Sequence, residues 1–289
     1  MDHRWGGIIS RIFPGDSLIS IKRFSKGVIN NTYDVKLKKR NVVLRVYPTD
    51  LWKVEKEEYL YGLIRNKTDV PVPEVIAKGN DYIVLSRIIG KSISVDNKLL
   101  VEKAGELLAK LHSIKFPYYG WIIKSKINPK FEKWGDFVLY DLNLKLGKMP
   151  FKHNELKDRV KKIIASNKYL LDVETEPCLL HKDYHSSHIL ASGGKINGII
   201  DLEWAMAGHN ELDLVKSCMW MFDKKPEMEK LFFKGYKKYG NISKEFKNRR
   251  KLYKIITSLS SLSFSYECRN KKWCIYNFDK LKGELDEYN

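Results

Sequence analysis

Residues 176–204 concentrate side chains that move protons and hold cations: His181, Asp183, His185, His188 and Asp201. Three apolar steps carry them, Leu179-Leu180, Ile189-Leu190 and Ile199-Ile200, with polar or glycine residues in between. That punctuation predicts short β segments joined by tight turns. Ser192-Gly193-Gly194-Lys195 would fold the second segment onto the third, bringing the residues before Ile189 near those after Ile200. Asp183, His188 and Asp201 could then share one cleft. A carboxylate can take up a proton there, and imidazole is a competent ligand for a divalent ion. Spacings of four and three would also align His181, His185 and His188 on a helix as a zinc site, but the glycines, the serine pair and the β-like flanks argue against a helix.

His181-Lys182-Asp183, then His188 five residues on, then Ile200-Asp201-Leu202-Glu203 follow the layout of a kinase catalytic loop and its metal-binding aspartate. At these residues the sequence resembles the aminoglycoside phosphotransferase family, small-molecule kinases distantly related to protein kinases. The family's loop usually ends in Asn, and His188 departs from it. The resemblance implies an α+β, protein-kinase-like two-lobe fold, with a small antiparallel five-stranded N-lobe and a larger, mainly helical C-lobe. It implies Asp183 as the catalytic carboxylate that accepts or orients the proton of an acceptor hydroxyl, and His188 and Asp201 as ligands to Mg²⁺. Imidazole suits Mn²⁺ at least as well. It extends to Gly208 and to Asp213, an aspartate that would help hold the catalytic loop through loop backbone or His181. His112, in Leu111-His112, reads as a buried, hydrogen-bonded structural residue.

The elements that must position these groups are legible in the alternation upstream. Leu18–Lys22, Asn31–Leu37 and Val42–Val46 alternate as strands, with Lys38-Lys39-Arg40-Asn41 as a turn. Between the first two, Ser25–Asn31 stands where kinases fold a loop over the phosphates, and Gly27 and Asn31 are its expected nucleotide contacts. Arg45 lies in the third strand, where the resembled family places a phosphate-gripping cation. Residues 53–66 predict a helix on which Glu57 is chosen as the carboxylate that pairs with Arg45. Val70-Pro71-Val72-Pro73 runs extended. Val75–Ala77 and Tyr82–Leu85 complete five strands, and Ser86 and Ile88 stand at the expected linker, where backbone groups would meet an adenine edge. The domains expected are a nucleotide-binding lobe over 1–86 and a catalytic, acceptor-binding helical lobe over 87–289. Leu99, Leu100, Val101, Ala104, Leu107, Leu108 and Leu111 predict a helix over 97–113, and two or three helices are expected over 115–175. Further helices follow around Trp220, Leu231 and Leu252, and no motif is readable beyond Ser260.

The whole chain sets bounds. Its 289 residues, 43% hydrophobic and 30% charged, suit one large domain or two lobes and exclude a disordered chain. No apolar run approaches the roughly 18 residues of a membrane span, and the N-terminus lacks a secretory core, so a soluble cytoplasmic protein is expected. Cys178, Cys218, Cys268 and Cys274 form no C-x-x-C pair, which argues against a zinc ribbon or a disulfide scaffold. A net charge of +18 favours anionic partners and sits badly with a polycationic acceptor, although Glu203, Glu211, Asp213 and Asp223 could still line a cation-accepting pocket. The function expected is an ATP- or GTP-dependent phosphotransferase acting on a hydroxyl of a small molecule, such as a sugar, a nucleoside, an aminoglycoside-like compound or another metabolite. A nucleotide-binding regulatory protein without turnover is the alternative. A nucleic-acid-binding protein is a third class, but packing aromatics and solvated lysines account for the aromatic, lysine-rich stretch 115–175 without one.

Overall fold

The computed structural model describes residues 3–24 and 31–288. In chain order these form α1 (His3–Ile12); β1 (Leu18–Arg23), β2 (Asn31–Leu37) and β3 (Asn41–Val46); α2 (Trp52–Lys67); β4 (Val75–Lys78), β5 (Tyr82–Ser86) and β6 (Lys91–Ser92); α3 (Lys98–His112); β7 (Gly120–Ile123) and β8 (Lys126–Ile127); α4 (Trp134–Gly147) and α5 (Asn154–Ser166). They continue with β9 (Cys178–Leu180), β10 (Ile189–Ser192), β11 (Lys195–Ile199) and β12 (Met206–Gly208), then α6 (Asn210–Met221), α7 (Pro226–Tyr236), α8 (Phe246–Glu267) and α9 (Lys271–Asp286). Two compact units contain them: Met1–Ser94 with Ile122–Lys126 and Ser186–Glu203, and Val95–Trp121 with Ile127–His185 and Trp204–Asn289.

The first unit is built on a sheet of order β1-β2-β3-β5-β4, antiparallel throughout. Period-two alternation along β3 sends Val42, Leu44 and Val46 to one face and Val43 and Arg45 to the other. The first face is covered by α1, whose Trp5, Ile8 and Ile9, with Phe13 just after it, form one buried stripe against Val35, Leu37, Val42, Leu44 and Val84. Gly6 and Gly7 make α1 a poor helix by propensity, so burial of that stripe, about 2 kcal/mol per large side chain, is what holds it. Trp5, Ile8, Ile9 and Ile12 keep helical spacing in the sequence, the two glycines lower the propensity, and the helix is an addition to the elements expected there.

Two smaller features frame the chemistry in this unit. β10 and β11 form a hairpin, with β6 on the other edge of β10. Its turn residues Gly193 and Gly194 have φ of 60° and 74°, the pair of left-handed conformations that a two-residue hairpin turn requires. Pro71 O, in the extended Val70–Pro73 stretch, accepts a hydrogen bond from Ile199 N–H at 2.8 Å and ties the hairpin to the segment after α2.

The second unit is mainly helical. Asn97 caps α3, its side chain accepting from Leu100 N–H at 3.1 Å. α3 lies against α7 at a crossing where Gly105 and Gly235 remove the side chains that would hold the backbones apart. Trp134, Phe137, Leu142, Val160, Leu180, Val215, Tyr253 and Leu259 belong to one core, drawn from α4, α5, β9, α6 and α8. Within it β12 pairs with β9 through Met206 and Leu180, and with β7 through Met206 and Trp121. The stretch 115–175 holds the short strands β7 and β8 before α4 and α5, which match the two or three helices expected there.

Candidate active site

The loop after β9 lies in the second unit and is held by one buried carboxylate. Asp213, in the first turn of α6, accepts from His181 N–H at 2.6 Å through Oδ2 and from Lys182 N–H at 2.9 Å through Oδ1. His112 Nε2 stands 3.4 Å from Oδ2, and His112 Nδ1 stands 2.8 Å from the Tyr236 hydroxyl. Burial alone would raise the pKa of Asp213, but the hydrogen bond from His112 and the charges of His112, His181 and Lys182 outweigh it and hold the group below the ordinary carboxylate value. The anchoring role expected of Asp213 and the structural role expected of His112 are both present in this geometry.

Held this way, the loop takes a strained course. Lys182 has φ of 65°, a left-handed conformation unusual for a side chain of this size. Burial, with the charges of Lys145 and Lys216, pushes its ammonium pKa down to about 7. Asp183 N–H donates to His181 Nδ1 at 3.3 Å, so His181 steadies the loop from beneath. Lys216 Nζ approaches Asp183 Oδ1 at 3.1 Å and also donates to Lys182 O, while His185 Nε2 stands 3.6 Å from Asp183 Oδ2. Lys216 is one of the 53 lysines and arginines of the chain, and no motif distinguishes it. The signal available was its position three residues after Asp213 on the same helix, which puts the two on one face.

A second constellation belongs to the first unit and centres on Arg45. Its Nη2 lies 3.0 Å from Asp201 Oδ1, 3.0 Å from Glu203 Oε2 and 3.4 Å from Glu57 Oε1. The expected Arg45–Glu57 pair is present, but the shorter contacts go to Asp201 and Glu203. Glu203, expected as one wall of a cation-accepting pocket, instead receives the protein's own cations, a role sequence reasoning missed: Lys53 Nζ reaches its Oε1 at 2.7 Å and Lys56 Nζ its carbonyl at 2.7 Å. The Asp201-Leu202-Glu203 alternation, with the apolar residue between two carboxylates, was the available clue.

α2 delivers its contributions along one stripe. Lys53, Glu57 and Tyr61 recur every four residues, and Tyr61 Oη accepts from Asp201 N–H at 3.3 Å. Burial, then the charges of Asp201 and Glu203, push the Glu57 carboxyl up to about 7, against the pull of Arg45.

Asp201 has φ of 70°, a left-handed turn at the residue whose carboxylate Arg45 holds. Its Oδ2 stands 3.6 Å from His188 Nε2. Ile200 N–H donates to His188 O at 3.0 Å, so the hairpin ladder fixes this spacing. Two donors each about 2.1 Å from a common ion can be at most about 4.2 Å apart, so these two fit one divalent cation, with a ligand set of one nitrogen and one oxygen.

The remaining expected residues are spread along the same unit. Asn31 opens β2 opposite Val46, and Ser86 closes β5 opposite Val42. Ser86 N–H donates to Glu74 O at 2.8 Å, and its Oγ accepts from Glu74 N–H at 2.9 Å. Ile88 packs over Gly198, where an added Cβ would come within 2.7 Å of it. Gly27 lies outside the described residues. The three histidines do not form the helical zinc face considered from their spacing: Ser186–His188 is a single 3-10 turn, and His181, fully buried before it, turns Nδ1 to the loop.

Residues 20–246 match the family described as the phosphotransferase enzyme family, APH. No curated protein matches the chain in sequence. Similar solved structures include the aminoglycoside phosphotransferase APH(4)-Ia, at a TM-score of 0.79 and 17% identity over 99% of both chains. APH(2")-IIa in its gentamicin complex aligns at 0.73 and 16% identity, over 99% of this chain and 98% of that one. A Thermobifida fusca protein described as a fructosamine-3-kinase aligns at 0.72 and 15% identity, over 97% of this chain and 99% of that one. At such identities the likeness establishes the fold, which is the expected kinase-like α+β architecture. The sequence match spans well over half of the chain, and with the sheet, the anchored loop and the arginine-centred carboxylates it leads to one assignment: the chain belongs to the phosphotransferase enzyme family.

Proposed function

We propose that the protein is a small-molecule kinase that moves the terminal phosphoryl group of ATP or GTP to a hydroxyl of its acceptor. Family membership supports phosphoryl transfer as the reaction class. The observation that carries the reading further is Asp201, gripped by Arg45 through Oδ1 while Oδ2 stands 3.6 Å from His188 Nε2. Phosphoryl transfer asks the protein chiefly to position groups and to place charge at the transferring oxygens, and these residues are of that kind.

In this reading Asp183 accepts the proton of the acceptor hydroxyl, with its carboxylate kept in place by Lys216 and its backbone by His181. His188 and Asp201 hold Mg²⁺ or Mn²⁺, which when bound supplies positive charge for phosphate oxygens. Arg45 adds a guanidinium, oriented by Glu57, Glu203 and Asp201. Gly27 and Asn31 cover the phosphates, and Ser86 and Ile88 meet the base, within a nucleotide-binding lobe over 1–86; residues 87–289 supply catalysis and acceptor binding. Structures of relatives with AMP-PNP and hygromycin B, and with streptomycin and ATP, support a nucleotide as donor.

Asp183→Asn tests the assignment. Nucleotide consumption across sugars, nucleosides, aminoglycosides and choline-like alcohols should fall by about 10²-fold or more, while the thermal shift with ATP and Mg²⁺ is retained. An active variant would show the base to be another group. A wild-type protein that shifts with nucleotide yet consumes none with any acceptor would favour the regulatory reading that the His188 departure motivates.

A further inference from the structure

The second unit carries a feature beside Asp183 that phosphoryl transfer alone does not require. Along α6, Asp213, Lys216 and Trp220 follow one another at intervals of three and four, so one helix face runs from the buried loop anchor out to solvent. Trp220 ends that stripe and is 53% exposed, an unusual placement for the largest apolar side chain. It is not an isolated surface aromatic. The His185 ring lies nearly parallel to it, at 5.4 Å and 19°, and Lys216 Nζ stands 5.5 Å from its centre. His185 and Lys216 are also the two groups that flank Asp183, at 3.6 and 3.1 Å.

Lys216 has a definite electrical consequence here. An ammonium has three N–H donors, and among the described residues Lys216 directs two at protein acceptors, Lys182 O and Asp183 Oδ1. A positively charged acceptor would meet this ammonium just where it needs to present its hydroxyl, and the Asp183 carboxylate that could attract it is already paired. A negatively charged group on the acceptor would find a donor in place. A flat ring would find an indole face to cover.

Resting on the reading of Asp183 as the base, we infer that the acceptor is a ring-bearing hydroxyl compound with a carboxylate or phosphate, stacked on Trp220 with its anionic group paired to Lys216. This narrows the acceptor from any small molecule to an anionic one. It separates this protein from enzymes whose acceptors are polycations.

Matched acceptors on one ring test it: D-glucose, D-glucose 6-phosphate, D-glucuronate and D-glucosamine, with the corresponding nucleoside and nucleoside monophosphate pairs, each assayed for nucleotide consumption by the full chain. The expected result is a preference in kcat/KM of about tenfold or more for an anionic member over its cationic counterpart, and the phosphate and carboxylate arms show which anion is read. Lys216→Met should erase that preference, read as the ratio of kcat/KM between matched acceptors because loss of its contact to Asp183 lowers turnover with all of them, and Lys216→Arg should keep it. Trp220→Ala should raise KM for ring acceptors about fivefold or more, and Trp220→Phe should restore most of the loss. Preference for the amino sugar by the wild type, or a charge preference unmoved in Lys216→Met, would overturn the inference and leave the kinase reading standing. No turnover with any member of an acceptor panel would remove both.

Discussion

At the scale of single residues, His188 is the sharpest departure and the most direct test. Asn in its place restores the residue usual in the resembled family and keeps an oxygen donor for a hard cation, so His188→Asn is expected to retain turnover with Mg²⁺ and to lose relative activity with Mn²⁺. His188→Ala should lose at least about tenfold in turnover with either metal. Steady-state rates in the two metals check both. Glu203 is a structural counterpart: it receives Arg45, Lys53 and, through its carbonyl, Lys56 while nearly fully buried. Glu203→Gln removes the charge and leaves those cations poorly matched, at an expected cost of about 3 kcal/mol in denaturant unfolding. His209 tests the interior of the second unit. Burial, then the charges of Arg249, His112 and Lys115, push its pKa down to about 3 from an ordinary imidazole value near 6.5, and its Nδ1 stands 2.7 Å from the Tyr253 hydroxyl. The unfolded chain therefore binds a proton that the folded chain refuses. Its stabilising contribution is complete above about pH 6.5 and is lost on acidification toward pH 3, at about 1.4 kcal/mol per pH unit. The difference in unfolding free energy between wild type and His209→Gln, followed over that range, should show this slope.

At the scale of elements, the α3–α7 crossing makes a prediction of its own. A Cβ on Gly235 would stand 1.8 Å from Glu102 O, and one on Gly105 2.0 Å from Phe232 O, both backbone atoms that a rotamer change cannot move. Gly105→Ala and Gly235→Ala should each lower stability by about 3 kcal/mol, read as a fall in melting temperature, whereas Gly62→Ala on α2, with open space around it, should not. Elements with strong local signals were legible in the sequence. The five strands, the helix with Glu57, the Leu-rich α3 and the double-glycine hairpin all announce themselves by period or turn chemistry. α1 was hidden because its helix depends on burial against the sheet rather than on propensity. β6 was hidden because a two-residue strand has no period. Among the candidate residues, Asp201 in the first unit and Asp183 and Asp213 in the second were singled out through motif spacing and resemblance, and Arg45 through its place in the third strand. Glu203 and Lys216 were not, since their roles arise from which side chains tertiary packing brings to Arg45 and Asp183.

At the scale of the whole chain, the charge of +18 is the dominant property. Many surface pairs, such as Arg4–Asp81 and Arg159–Asp286, are exposed and add little to stability, so the excess lysine acts chiefly as a field around the protein. Retention on RNA or DNA at low ionic strength is expected from that field alone, and it should fall steeply as salt approaches the physiological range. Retention that persists there, measured by filter binding across a salt series, would restore a nucleic-acid role. No helix among the described residues is long and apolar enough to cross a membrane.

The hairpin has a consequence beyond its own shape. Ile189 faces Ile199 in the ladder, and the two proposed cation ligands sit just outside that pair, so the tight Gly193-Gly194 reversal, together with the register shift between Leu190 and Ala191, sets how His188 and Asp201 face each other. An insertion of one residue in this reversal would slip the ladder and send the two donors to opposite sides of it. Such a length change, remote from both ligands, would act as an off-switch for cation binding while every chemically active side chain stayed in the sequence.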